Sequence, residues 1–339
     1  MFSVVRTQAI RMPAAMAVGL AALVAVGASA AEPVPEGVWL VNTRQAPRSN
    51  PVGGEDRIRY SRLAAGNEWV ASDLEAFLAT DDPSVPTCVF IHGNRNGFSD
   101  AIRMGLGVER ELKRQAEGRP LRLVIWAWPA DQVRGIRQDM RLKACRADVQ
   151  SYYLARWLAR VNPEVPVSLI GYSFGARAIT GALHLVAGGR LAGRSLPEGP
   201  VPQERPLRAV LVAAATDNDW LLPGQPNGLA LGQADRVLVT RNLSDPALKW
   251  YHLMDGVGGP RAMGFTGPAC LSRLGEEREK IETLVLDCSV GRNHAWDGYV
   301  RASALRRQLA WYAFLEPADS GAAPPESAAA ADDQPAESN

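Results

Sequence analysis

The sequence predicts an α/β protein with a mostly parallel eight-stranded sheet and helices on both of its faces. Three observations predict it. Short β-prone runs alternate with stretches of helical spacing along most of the 339 residues, as repeated strand–helix units do. Several of those runs are apolar almost throughout, which is how strands buried on both faces read. At residues 165–179 one such run enters a Gly-Tyr-Ser-Phe-Gly turn and leaves it as a helix.

In chain order, residues 38–44 (VWLVNTR) read as a first strand. A Pro/Gly/Asn loop over 47–54 leads to a short strand at 57–63. Residues 68–78 carry Trp69, Val70, Leu74, Phe77 and Leu78 at helical spacing and predict a helix. The apolar run 87–93 is the next strand, ending in a polar loop, His92 to Gly97, that opens onto a helix over 99–115. Residues 121–129 form a fourth strand, stopped by Pro129, and 144–160 form a helix closed by Asn162 and Pro163. The strand 167–170 precedes the turn, and the helix 176–185 follows it. Strands at 208–216, 236–241 and 282–288 complete the sheet, and a final helix lies within 295–314. The chain shows no internal repeat. Residues 317–339, rich in Ala, Pro, Ser and acids without periodicity, read as a disordered tail.

Residues 1–30 read as a secretory signal peptide: Arg6 and Arg11 give a positive start, 13–27 is apolar, and Ala28-Ser29-Ala30 fits a small-x-small cleavage site. An uncleaved anchor is the alternative, although the run is short for a membrane span. Export leaves residues 31–316 as one α/β domain, periplasmic or secreted, without stable membrane insertion after cleavage. Charge is balanced, 37 Lys+Arg against 36 Asp+Glu. No basic stripe with interleaved aromatics appears, which argues against nucleic acid as the main partner. An oxidising compartment permits a Cys270–Cys288 bridge worth about 3 kcal/mol in the chain-entropy model, while Cys88, in a buried strand, reads as a free apolar thiol. No Cys/His spacing suits a metal, and no cofactor is implied.

The turn carries the chemistry. A serine on a strand-to-helix turn this tight is strained, and Gly171 and Gly175 remove the side chains that would collide with neighbouring elements. The N-terminus of the following helix favours negative charge beside Ser173. A serine hydroxyl also needs a base, and the base needs an orienting group. Asp245, after the strand 236–241, and His294, after the strand 282–288, can reach the same sheet edge. Ser173, Asp245 and His294 are the expected catalytic residues, and the backbone N–H groups of Asn94 and Phe174 the expected oxyanion hole. Asn94 and Asn96 read equally well as plain turn residues.

With His92-Gly93-Asn94 after a strand, the Gly171–Gly175 turn and the late Asp245 and His294, the chain resembles the α/β-hydrolase superfamily over residues 38–315. Residues 126–129 (WAWP) and 244–248 (SDPAL) are similar to a bacterial branch of unassigned function. The resemblance implies the α/β-hydrolase fold and a Ser-His-Asp triad working through an acyl-enzyme. The superfamily spans esterases, lipases, thioesterases, amidases and peptidases, and includes some non-enzymes. The expected activity is that of an exported serine esterase on a small-molecule or lipid-like acyl substrate. The alternative is a catalytically inactive envelope-binding protein.

Rival assignments have bland readings. His92 braces the oxyanion loop, and His184 is a packed or surface residue of the turn's helix. His252 is the one rival base, Asp217 and Asp219 are the rival acids, and Asp287 and Asp297 are structural. Trp126, Trp128 and the segment 217–229 are expected to wall an open acyl pocket, with 254–268 as a flexible rim.

Overall fold

A computed structural model describes residues 34–202, 204–254 and 259–315. The expected signal peptide over 1–30 and tail over 317–339 lie outside the described residues. The sheet has nine strands: β1 (Gly37–Asn42), β2 (Arg59–Leu63), β3 (Trp69–Ser72), β4 (Thr87–Ile91), β5 (Arg122–Ala127), β6 (Val167–Tyr172), β7 (Leu207–Val212), β8 (Arg236–Arg241) and β9 (Ile281–Val285). Their order is β3-β2-β1-β5-β4-β6-β7-β8-β9. The β1–β2 and β2–β3 pairs are antiparallel, and the others are parallel. Every residue of β4, β5, β6 and β7 is buried, which accounts for their continuous apolar character.

The ninth strand corrects the helix expected over 68–78. Asn67 adopts a left-handed backbone (φ 65°) beside Gly66 (φ 91°), and this turn folds the chain back so that β3 pairs with β2. The helix begins only after Asp73, whose carboxylate accepts the Ala76 N–H at 2.8 Å. That helix is α1 (Leu74–Leu78).

The remaining helices are α2 (Phe98–Gln115), α3 (Ile136–Leu158), α4 (Phe174–Val186), α5 (Pro246–Lys249), α6 (Met263–Thr266), α7 (Asp287–Val290), α8 (Trp296–Arg301) and α9 (Ser303–Ala313). Helix α3 starts well before the expected residue 144. Most of its first two turns is exposed, which accounts for their few apolar residues, and Ile136 and Met140 among them border a cleft. The expected terminal helix is two helices, with Ala302 in extended conformation (ψ 115°) between them. A Cβ on Gly181 of α4 would lie 2.3 Å from Ser151 Oγ of α3, so the glycine sets how closely the two helices approach.

The parallel strands end at one edge, where β4 sits between β5 and β6. Ligands of open α/β sheets bind outside the carboxyl ends of strands where the order reverses. The loops after β4, β6, β8 and β9 meet there. All four cysteines are free: Cys88 is buried, while Cys145, Cys270 and Cys288 are exposed. Cys270 caps one helical run in a left-handed conformation and Cys288 sits in α7, so the Cys270–Cys288 bridge is not formed. Burial pushes the Cys88 thiol up to about 12.

Candidate active site

Ser173 stands between β6 and α4 at φ 56°, ψ −117°, a conformation that costs energy for a residue with a Cβ. Its surroundings hold it there. The Ser173 N–H donates to the Val212 carbonyl at 2.9 Å, and its own carbonyl accepts the Ala215 N–H at 3.2 Å. The flanking glycines are required by space. A Cβ on Gly175 would lie 2.2 Å from the Ile91 carbonyl oxygen, and one on Gly171 would lie 2.7 Å from the Ala176 backbone.

His294 Nε2 lies 3.1 Å from Ser173 Oγ, and His294 Nδ1 lies 2.7 Å from Asp245 Oδ2. Asp245 is buried and caps α5, its Oδ1 accepting the N–H groups of Ala247 at 2.9 Å and Leu248 at 3.1 Å. The Tyr299 hydroxyl donates to Oδ2 at 2.7 Å. Asp245 accepts throughout, so the hydrogen shared with His294 sits on Nδ1. That leaves the Nε2 lone pair facing the serine hydroxyl, the tautomer a general base needs. Burial, and then the charge of Asp245, push the Tyr299 hydroxyl well above its ordinary range, so it remains a donor. Tyr172 donates its hydroxyl to the His294 carbonyl and lies against the imidazole, ring centroids 5.5 Å apart.

The loop after β4 lies across from the serine. A Cβ on Gly93 would lie 2.8 Å from the Tyr172 ring and 3.0 Å from Ser173 Cβ, so the glycine lets this loop approach the turn. His92 is buried, donating Nδ1–H to the Gly93 carbonyl at 2.9 Å and accepting the Trp128 N–H on Nε2 at 3.2 Å. Burial lowers it to about 4, so it is neutral, in the bracing part expected of it. Asn96 Nδ2–H donates to the carbonyls of Gly93 and Asn94 at 3.1 and 3.0 Å. Asn94 and Phe174 line one cleft with Ser173 and His294.

A buried hub under this loop was not anticipated from the sequence. The Asp139 carboxylate accepts from Asn94 Nδ2, Arg95 Nε and the Val133 N–H, each at 3.0 Å, and from Lys143 Nζ at 2.7 Å. Burial alone would raise its pKa; Lys143, Arg95, Val133 and Asn94 together hold it below the usual carboxylate range. The only signal in the sequence was an Asp–Lys pair four residues apart, common on solvated helix faces.

The cleft has a volume of about 330 Å³. Its apolar walls are Ile136 and Met140 of α3 together with Pro246, Ala247, Leu248, Trp250 and Tyr251, with Ile136 and Trp250 exposed at 68% and 56%. This corrects the expected wall. Trp126 and Trp128 are buried, Trp126 bonded to Gln150 Oε1 at 2.9 Å and Trp128 to the His92 carbonyl at 2.8 Å. Both have an N–H to satisfy, so they serve as core struts. Segment 217–229 packs beside α4, with the Arg177 guanidinium 4.3 Å from the Trp220 ring. Neither it nor the described part of 254–268 lines the cleft.

The rival residues lie elsewhere. Asp217 is hydrogen-bonded to Tyr251 beside the Arg177–Asp148 ion pair. His184 accepts the Leu229 N–H at 3.2 Å, and His252 packs against Trp250. Asp287 lies past the end of β9, at the start of α7. It accepts the Leu243 N–H at 2.6 Å and Arg241 at 3.2 Å, fastening the loop that carries Asp245. Among the described residues, no group of three or more His, Cys, Asp or Glu is placed to hold a metal ion, and no helix is long and apolar enough to cross a membrane.

No protein-family model and no curated protein matches the chain. Similar solved structures include a Klebsiella pneumoniae subsp. pneumoniae protein provisionally named a dienelactone hydrolase, at 13% identity, covering 77% of this chain and 93% of that one, TM-score 0.38. A lipase-esterase related protein of Clostridium acetobutylicum matches at 11% identity, covering 68% and 96%, TM-score 0.32. A thermophilic esterase of the Planctomycetes species Thermogutta terrifontis matches at 11% identity, covering 67% and 82%, TM-score 0.30. With the strand order reversing at β4, a serine on the turn after β6, and Asp245 and His294 on the loops after β8 and β9, the chain has the α/β-hydrolase fold.

Proposed function

We propose that the chain is an exported serine hydrolase that cleaves an ester or related acyl bond through an acyl-enzyme. Ser173 is the nucleophile, His294 the general base and then acid, and Asp245 its orienting partner. The observation that carries this reading is the unbroken hydrogen-bond chain from Ser173 Oγ through His294 to Asp245, 3.1 Å and 2.7 Å, on a strained serine.

In the first half-reaction, Ser173 Oγ attacks the carbonyl carbon while its proton passes to His294 Nε2. Asp245, held by Tyr299 and two backbone N–H groups, stabilises the imidazolium. The N–H groups of Asn94 and Phe174 receive the oxyanion, and the N-terminus of α4 adds a favourable field. The alcohol leaves with the proton from His294, and water then hydrolyses the acyl-serine by the reverse sequence. The apolar cleft suits an acyl chain or an apolar leaving group, small or lipid-like.

Labelling of the mature protein with a fluorophosphonate, followed by peptide mapping, tests this. An adduct on Ser173, lost in His294→Ala, is expected. Folded protein that takes no label would leave an envelope-binding protein on a hydrolase scaffold as the better account.

A further inference from the structure

We propose that the cleft selects an acyl substrate bearing a carboxylate, and that Arg95 is the residue that selects it. The inference rests on the hydrolase reading above and specifies its substrate class. Arg95 follows Asn94 on the loop after β4 and lines the same cleft as Ser173 and His294. Its side chain is 43% exposed, so the guanidinium meets whatever enters the cleft. Its backbone is left-handed at φ 59°, a conformation that a non-glycine residue keeps only when its surroundings enforce it.

The charges beneath it leave one positive charge over. Arg95 Nε donates to Oδ2 of Asp139 at 3.0 Å, and Lys143 Nζ donates to Oδ1 of the same carboxylate at 2.7 Å. The side chains of Asp139 and Lys143 are both 0% exposed, so they neutralise each other inside the protein. One buried carboxylate therefore faces two cations, and the surplus lies on the one that reaches the cleft. Asp139 also accepts from Asn94 and Val133, so its acceptor sites are filled.

Pinning Arg95 through Nε fixes the plane of the guanidinium. Among the described residues its two Nη nitrogens make no hydrogen bond, and that pair of donors matches a carboxylate in bidentate geometry. No aspartate or glutamate among the described residues lines the cleft. The remaining wall, including Ile136, Met140, Leu248 and Trp250, is apolar. An apolar cleft that holds Ser173 and, among the described residues, a single uncompensated cation favours an anionic ester over a neutral one of the same length. It disfavours a cationic one.

Two matched pairs of esters test this. One compares 4-nitrophenyl butyrate with the 4-nitrophenyl monoester of succinic acid, which puts the carboxylate on the acyl chain. The other compares phenyl butyrate with the butyrate ester of 4-hydroxybenzoic acid, which puts it on the leaving group. In at least one pair the anionic member is expected to have a kcat/KM about tenfold higher at low salt, a preference that shrinks at about 0.5 M salt. Arg95→Gln is expected to lower that ratio by about tenfold, and Arg95→Lys to keep part of it.

The ratio is the readout because losing Arg95 also removes a contact at the Asn94 loop, which slows both members alike. Preference for the neutral ester in both pairs, or an equal fall in both members in Arg95→Gln, overturns the proposal. If Arg95→Gln does not fold, the wild-type ratio and its salt dependence decide alone. Failure of the underlying hydrolase reading looks different, with no ester turned over and no fluorophosphonate adduct on Ser173.

Discussion

Tyr299 and His294 donate to the same oxygen of Asp245, each at 2.7 Å. The carboxylate is thus shared between the residue that would act as base and a phenol with no chemical step of its own. Tyr299→Phe removes one charge-assisted hydrogen bond and leaves Asp245 its two backbone donors. Without that anchor the carboxylate is freer to turn away from His294 Nδ1. A fall in kcat of about tenfold is expected, the size of one such bond. Steady-state kinetics of the variant on an activated ester checks it. An unchanged kcat would make Tyr299 a packing residue.

Ser173→Ala is expected to lower kcat by about 10⁶-fold and Asp245→Asn by about 10⁴-fold, the latter because it imposes the wrong imidazole tautomer. Steady-state kinetics on an activated ester checks them. A near-normal rate in Asp245→Asn would contradict the 2.7 Å contact with His294 as the functional one. The acid would then have to be sought at Asp217, which lies with Tyr251 and Arg177 instead.

The parts of this arrangement that were legible in the sequence are those whose residues are constrained locally. Ser173 could be placed because a strand, two glycines and a helix within ten residues leave little else for the chain to do, and Asp245 and His294 because strand ends share one edge. β3 was hidden because Trp69 and Val70 fit a helical period, and the decision fell to the turn at Gly66-Asn67. The cleft wall was misassigned for a different reason. Tryptophans near a strand end read alike whether they face a substrate or the core, and the buried hydrogen bonds of Trp126 and Trp128 are long-range facts. Arg95, Asp139 and Lys143 meet only because the loop after β4 packs on α3, a contact that no local pattern announces.

Asp139→Asn is expected to destabilise the fold by about 3–5 kcal/mol, because it leaves the buried Lys143 ammonium without its counter-charge. The double variant Asp139→Asn, Lys143→Met should recover most of that loss, since it removes the stranded charge. Urea titrations of the three proteins check this. The double variant is also expected to turn over esters more slowly than wild type, because Asn94 and Arg95 then face an uncharged amide with one acceptor oxygen instead of the carboxylate that fixes their loop.

Stability in acid should fall in two separate windows. His92 is buried and neutral with its pKa lowered to about 4, whereas in the unfolded chain it titrates near 6.5. The unfolded state therefore takes up a proton first, and stability is lost as pH falls from about 6.5 to about 4, by a few kcal/mol. Asp139 acts lower. Its folded pKa is depressed, so its contribution is present above the ordinary carboxylate pKa of about 3.9 and is lost as pH falls through the folded value. Urea midpoints at pH 7, 5.5 and 4.5 sample the first window without entering the second. His92→Gln should flatten the slope across those three points while lowering stability at pH 7, because the bond to the Trp128 N–H at 3.2 Å is lost or weakened. An unchanged slope in that variant would assign the loss above pH 4.5 to some other group and leave His92 protonated, and so charged, in the core.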